Sequence, residues 1–270
     1  MYFGRAKPFL RWAGSKQLIL PKLLSHISKC KYSRYIEPFA GSAALFFYLS
    51  PSKSIICDIN SSLIEVYEVV RDSLAEMYEC LDAYENKADV YYGVRSMDAD
   101  FMSKVERAAR FIYLNRFCFN GLYRTNKDGV FNVPYGGYKT GALPSYELLK
   151  NCSLSLQGVQ LMSCDFESLL PHLAAGDIVY LDPPYFSASK RVFTEYNDSC
   201  FYSEDLKRLR CFLDHMNSIG VGFLLTYLKS DESSYLSKDF LIEEISVRRN
   251  VAADPTKRCF VKEVIITNIE

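Results

Sequence analysis

Four residues at the end of an apolar run carry the sharpest chemistry in the chain. Asp182-Pro183-Pro184-Tyr185 follows Ile178-Val179-Tyr180-Leu181. The carboxylate therefore lies at the carboxyl end of a predicted strand, where open α/β sheets bind their ligands. Consecutive prolines hold the backbone extended and leave the Pro183 carbonyl without a local amide partner. Carboxylate and carbonyl together offer two acceptors, which suits an exocyclic amine with two hydrogens to give. Accepting both draws the nitrogen lone pair out of conjugation with its ring and makes it a better nucleophile without deprotonation. Tyr185 adds a flat face on which an extruded base can stack. Taken alone, the tetrapeptide also fits a strand that merely ends in a proline-rich turn.

Two further segments have the same strand-end character. Glu37-Pro38-Phe39-Ala40-Gly41-Ser42-Ala43-Ala44 stands between a short apolar run, 35–38, and a helical one, 43–49. Small residues at such a junction let a ligand approach the backbone and set a helix N-terminus beside it. Asp58 ends the next predicted strand, roughly where nucleotide-binding α/β units place an acid for ribose hydroxyls. The spacing is looser than a dinucleotide fingerprint, and the glycine alone fits a structural turn equally well. Cys164-Asp165-Phe166 closes another apolar stretch and could hydrogen-bond and flank an adenine ring, although an Asp that opens a helix is ordinarily an N-cap.

Such edges require a sheet behind them. Strand, helix and strand between residues 35 and 58 form the unit of a parallel α/β fold. Runs at 160–164, 178–181 and 222–227 continue it as strands, with helices predicted over 15–27, 166–173 and 203–219. Apolar alternations at 240–247 and 260–266, joined by the polar loop 252–258, read as a closing antiparallel pair. The texture differs in between. Leu63, Ile64, Tyr67, Val70, Leu74, Met77, Tyr78 and Leu81 recur at helical spacing, and a second helical run extends from Lys104 to Phe117. Residues 61–144 thus read as a mainly helical domain inserted between 1–60 and 145–270. It ends where Asp128-Gly129 predicts a β-hairpin turn.

Within that insert, Asn115-Arg116-Phe117-Cys118-Phe119-Asn120-Gly121-Leu122-Tyr123-Arg124 is followed by Phe131-Asn132-Val133-Pro134-Tyr135-Gly136. Aromatics, amides and arginines are interleaved. An arginine can grip guanine bidentately in the major groove, and an aromatic can fill the gap left by a flipped base. Lys+Arg and Asp+Glu both total 32, so a polyanion would have to meet a local patch rather than a global field. The nine cysteines occur singly, without a C-x-x-C pair or a metal-type cluster. They read as reduced thiols in a cytoplasmic protein. No apolar run reaches the length of a membrane span.

Together these segments resemble the Dam-like (D12 class) DNA adenine-N6 methyltransferases, and the likeness extends to Phe9-Leu10-Arg11-Trp12-Ala13-Gly14-Ser15-Lys16 at the N-terminus. The resemblance implies a Rossmann-like sheet with S-adenosyl-L-methionine as cofactor and double-stranded DNA as partner. It implies that Trp12 and Lys16 line the cofactor pocket, that Phe39, Ala40, Gly41 and Ser42 cradle the methionine portion, and that Asp58 holds the ribose. Asp165 and Phe166 would contact the cofactor's adenine, and Asp182, Pro183, Pro184 and Tyr185 would form the catalytic tetrapeptide beside it. Base recognition falls to Arg124, Pro134 and Tyr138, with Phe119 and Asn120 near the vacated stack, and Lys7 reaches a flanking base. Arg116, Leu122 and Asn126 belong to the same DNA-facing set. Lys139, Lys190, Arg191, Lys257 and Arg258 are candidates for phosphate contacts. The implied target is GATC.

The residues by themselves leave other readings open. The tetrapeptide chemistry would serve cytosine-N4 methylation of DNA or adenine-N6 methylation of RNA, and a silent DNA-binding relative would keep the fold. Whether the chain works within restriction-modification, serves a phage or acts unpaired is open, as is its oligomeric state. The polar segment 186–200 reads as a loop able to order on DNA.

Overall fold

The computed structural model describes residues 6–14, 16–185, 203–248 and 260–270. Ser15, the 186–200 segment with Lys190 and Arg191, and the 252–258 loop with Lys257 and Arg258 lie outside the described residues, as does the Lys139 side chain.

A short 3-10 turn, Gln17–Ile19, leads into α1 (Leu20–Ile27), then β1 (Arg34–Glu37), α2 (Ala44–Leu49) and β2 (Ser54–Asp58). Four helices follow: α3 (Ser61–Asp72), α4 (Leu74–Asp82), α5 (Ala88–Ser96) and α6 (Lys104–Phe117). The chain then returns through α7 (Tyr146–Leu156), β3 (Gln160–Ser163), β4 (Asp177–Leu181), α8 (Ser203–Ser218), β5 (Gly222–Leu228), α9 (Asp231–Leu236), β6 (Leu241–Arg248) and β7 (Phe260–Thr267). The strands form one seven-stranded sheet in the order β3-β2-β1-β4-β5-β7-β6. The first five run parallel, and β7 is antiparallel to both β5 and β6. This is the Rossmann-like sheet with closing antiparallel strands that the sequence implies.

Strand order reverses between β1 and β4, which opens a crevice above their carboxyl ends. The segments after Glu37 and Leu181 both leave the sheet there. Alternation along the strands covers both faces with helices. Ile36, Val179, Leu181 and Leu225 pack with Leu209, Phe212 and Leu213 of α8. On the other face, Tyr35, Ile56, Ile178 and Tyr180 join a cluster that continues through Leu63 and Tyr67 of α3 to Met77, Tyr91 and Tyr113.

Several predicted elements differ in detail. The helical run after residue 61 is broken at Ser73, whose φ of −137° lies outside helical geometry, and α4 starts anew. The predicted helix at 166–173 is a 3-10 segment, Phe166–His172, with Pro171 inside it; proline cannot donate to an α-helical ladder. The first helix begins at Leu20 rather than Ser15, with a proline in its first turn, where the missing N–H costs nothing. The hairpin is a turn with the isolated antiparallel bridges Thr125↔Phe131 and Cys118↔Tyr135 instead of a ladder. Asn126 fastens it: its Oδ1 accepts from the Asp128 and Val130 amides at 3.0 and 2.9 Å. Helices α5, α7 and α9 are absent from the sequence reading. In α5 only Tyr91 and Val94 are buried, too few to display a periodic stripe.

Candidate active site and nucleic-acid interface

Asp182 leaves β4 where the neighbouring strand β5 presents Thr226, whose hydroxyl donates to Asp182 Oδ1 at 2.9 Å. The same oxygen lies 3.4 Å from Lys16 Nζ. Lys16 also donates to the Tyr185 hydroxyl at 2.6 Å and stands 3.3 Å from Glu263 Oε2 on β7. Tyr185 in turn donates to Glu263 Oε1 at 3.3 Å. Burial pushes the Asp182 carboxyl above its ordinary range, with Lys16 and Thr226 opposing. For Lys16 burial acts to lower the pKa, but Asp182, Tyr185 and Glu263 outweigh it and the ammonium is held above its usual value. Burial also raises the Tyr185 phenol, so it stays protonated.

Glu37, at the end of β1, faces the same crevice. It is buried and accepts the Tyr35 hydroxyl at 2.7 Å. Burial pushes its carboxyl up to about 8, against the Tyr35 hydrogen bond and with repulsion from Asp182 added.

The turn after β1 depends on a glycine. Gly41 has φ +46°, and a Cβ there would sit 2.6 Å from the Trp12 ring. Tyr67 donates to the Gly41 carbonyl at 2.5 Å, and the Gly41 amide donates to Asp58 Oδ2 at 3.0 Å. Asp58 Oδ1 accepts from the Asn60 amide at 2.9 Å. Each carboxylate oxygen thus keeps a second acceptor position, and the group is aimed before any ligand arrives. Burial pushes its pKa up and the two amides oppose that.

Asp165 is engaged otherwise. Its Oδ1 accepts from the Glu167 amide at 3.0 Å and from Arg208 at 2.5 Å, and Arg208 lies over the Phe166 ring. Phe166 is buried, with its centroid 5.4 Å from half-buried Phe39. Nearby, Cys57 and Cys164 bring their sulfurs to 3.1 Å.

Trp12 joins this edge to the helical block. It stacks on Tyr123 at 5.7 Å and on Phe111 at 6.5 Å between centroids. Asn115 clamps the backbone of Arg11, accepting its amide at 2.8 Å and donating to its carbonyl at 2.7 Å. A cavity of about 360 Å³ lies between the residues after Asp58 and the Tyr123–Gly129 segment.

The structure gathers the expected DNA-facing residues unevenly. The Phe119 amide donates to the Pro134 carbonyl at 2.9 Å, which brings Phe119, Asn120 and Pro134 together. Phe119 is 44% exposed and Tyr138 81% exposed; Asn120, Asn126, Pro134 and Lys7 are exposed as well. Arg124 is half-buried, with Nε donating to Asn132 Oδ1 at 2.7 Å. Arg116 turns inward: its guanidinium lies beside Gly141, and burial lowers its pKa. Leu122 packs on the core. Thr226, Glu263, Asn115 and Arg208 carry no sequence signal as site residues. Asn115 stands inside the aromatic-amide stretch, the one hint available for any of them.

The family described as D12 class N6 adenine-specific DNA methyltransferase matches residues 12–251. The chain is 40% identical to the Type II methyltransferase M1.LlaDCHI of Lactococcus lactis subsp. cremoris, over 97% of this chain and 95% of that one. It is 35% identical to the Type II methyltransferase M.MjaIII of Methanocaldococcus jannaschii, over 93% and 95%. It is 32% identical to a DNA adenine methylase of Haemophilus influenzae, over 96% and 92%.

Proposed function

The chain belongs to the D12 class N6 adenine-specific DNA methyltransferase family, and on that premise we propose that it methylates adenine site-specifically in duplex DNA, at GATC, by base flipping and direct transfer. S-adenosyl-L-methionine is the methyl donor. When bound it supplies a methyl group made electrophilic by a sulfonium. The residues present fit a cationic nucleoside. Glu37, Asp58, Asp182 and Glu263 surround the crevice with Lys16 among them, and Gly41 leaves its turn without a side chain.

The observation that carries the reading is Asp182, held by Thr226 at 2.9 Å at the carboxyl end of β4, beside the glycine turn of β1. Asp182 and the Pro183 carbonyl accept the two hydrogens of the target amine and turn its lone pair toward the methyl group. Tyr185 stacks the base. Alignment and polarisation come first, because the nucleophile is not deprotonated before attack. As nitrogen gained the methyl group the S–CH3 bond would break to leave S-adenosyl-L-homocysteine, and the methylated amine would then lose one proton, which Asp182 is placed to accept. Phe39, Ala40, Gly41 and Ser42 cradle the methionine end, with Trp12 packed against the turn, and Asp58 receives the ribose. Asp165, whose Oδ1 is held by Arg208 and the Glu167 amide, offers its other oxygen to the cofactor's adenine, and Phe166, packed on Phe39, flanks the ring.

Residues 61–144 serve as the target-recognition domain. Arg124, Pro134 and Tyr138 read base edges, Phe119 and Asn120 occupy the gap of the flipped base, and Lys7 and Asn126 add flanking contacts. The exposure of Phe119, Asn120, Pro134 and Tyr138 supports this role. Arg116 and Leu122, both half-buried, brace the turn and complete the DNA-facing set. The Type II methyltransferases among the relatives favour a place in a restriction-modification pair.

The test is single-molecule modification sequencing of DNA from a methylase-deficient host expressing this chain, beside an Asp182→Ala control. N6-methyladenine at GATC, absent in the control, is the expected result. Methylation at another motif overturns the target, and unmodified DNA with soluble protein overturns the substrate.

A further inference from the structure

Glu263 belongs to none of the sequence motifs, yet its carboxylate is 3% exposed and lies in the catalytic cluster. Pairing of β7 with β5 sets Glu263 opposite Leu228, so the sheet fixes its position. Lys16 Nζ stands 3.3 Å from Glu263 and 3.4 Å from Asp182. Both separations exceed the roughly 2.7–2.9 Å of a committed charge-assisted bond. Among the described residues the ammonium is shared between two carboxylates and bonded closely only to the Tyr185 oxygen, at 2.6 Å.

That sharing bears on the reaction. An ammonium paired fully with Asp182 would withdraw the charge with which Asp182 polarises the target amine, and it would crowd the mouth of the site. Glu263 pulls it the other way. Resting on the reading of Asp182 as acceptor of that amine, we propose that Glu263 is a positioning residue that holds Lys16 beside Tyr185 and so keeps Asp182 available to the substrate. The charged and titratable groups around Lys16 are Asp182 and Tyr185 from the end of β4 and Glu263 from β7. Glu37 from β1 and Tyr180 from β4 act on Asp182.

The experiment measures methyl transfer to a duplex oligonucleotide for the full chain, Glu263→Gln, Glu263→Asp, Lys16→Met and the double variant that joins Lys16→Met to Glu263→Gln. Cofactor dissociation constants are measured without DNA. In Glu263→Gln, Lys16 collapses onto Asp182, so kcat near neutrality falls about tenfold or more, a larger factor than the change in cofactor affinity. The deficit disappears when Lys16 is absent: because Glu263 acts through Lys16, adding Glu263→Gln to Lys16→Met lowers kcat no further than Lys16→Met alone. Glu263→Asp, which keeps the charge, recovers part of the rate.

An unchanged kcat in Glu263→Gln overturns the proposal, and so does a deficit of the same size in the Lys16→Met background, which would mark a role that does not pass through Lys16. If Glu263→Gln does not fold, Glu263→Asp decides: a lowered kcat whose deficit vanishes in the Lys16→Met background supports the proposal, and an unchanged kcat or an undiminished deficit overturns it. Failure of the unmodified chain to methylate duplex DNA would instead overturn the functional reading on which the proposal rests.

Discussion

At the strand ends the polar groups are already held: Asp182 by Thr226 and Lys16, Tyr185 by Lys16 and Glu263, Asp58 by the Gly41 and Asn60 amides. Around residues 119–138 the corresponding groups face solvent, and Arg124 is oriented by a hydrogen bond to Asn132 while its guanidinium fork keeps other donors. The first region has met its ordering cost during folding, which favours chemistry that cannot wait for the site to reorganise. The second meets that cost when a partner arrives. On the proposed function, the difference makes reaction and selection separable, although Trp12 and Asn115 tie the two regions together.

The largest expected effect breaks the strand-end cluster alone. Asp182→Ala should lower methyl transfer by about 10²–10³-fold or more while cofactor binding, followed by calorimetry, largely persists. Substantial turnover in labelled-methyl transfer would show that the pre-ordered cluster is not the reacting centre. Arg124→Ala should do the reverse, costing about 1–3 kcal/mol of discrimination between GATC and singly substituted sites with little change in kcat on saturating DNA. Identical preferences across a substituted-site panel would remove Arg124 as a base reader and blur the contrast.

A smaller effect sharpens it. Thr226→Val removes the hydroxyl on Asp182 and leaves Lys16 in place, so kcat should drop by about fivefold, near 1 kcal/mol. An effect confined to DNA KM would argue that Thr226 serves binding instead. The smallest concerns pH. Glu37 is raised from its ordinary 4.5 to about 8, so the folded chain binds that proton more tightly than the unfolded chain. Its contribution to stability is fully present below about 4.5 and is lost as pH rises through about 8. Thermal denaturation of Glu37→Gln should show a weaker decline across that window; a slope matching wild type would place the titration elsewhere.

Legibility in the sequence followed sequence distance. Asp182 to Tyr185 could be read because an apolar strand and two prolines state both position and backbone in a few adjacent residues. Gly41 was legible as a junction, but the reason for it, the Trp12 ring against its α-carbon, joins residues far apart in the chain. Thr226 and Glu263 look like ordinary strand residues until the sheet order sets β5 and β7 beside β4. Arg208, which takes the Asp165 carboxylate, comes from a helix whose charged face reads as solvent-exposed. The hairpin was legible as a turn because Asp128-Gly129 and Asn126 are local. Its lack of a ladder was not, since that depends on packing against α6.

Trp12 is the one tryptophan in the chain, and it is stacked between the Gly41 turn and Tyr123. Its indole emission therefore comes from the seam where the proposed cofactor crevice meets the proposed recognition turn. Stepwise addition of cofactor and then of duplex should quench or shift that fluorescence, which gives the unlabelled protein a built-in optical clock for the order and rates of the two binding events.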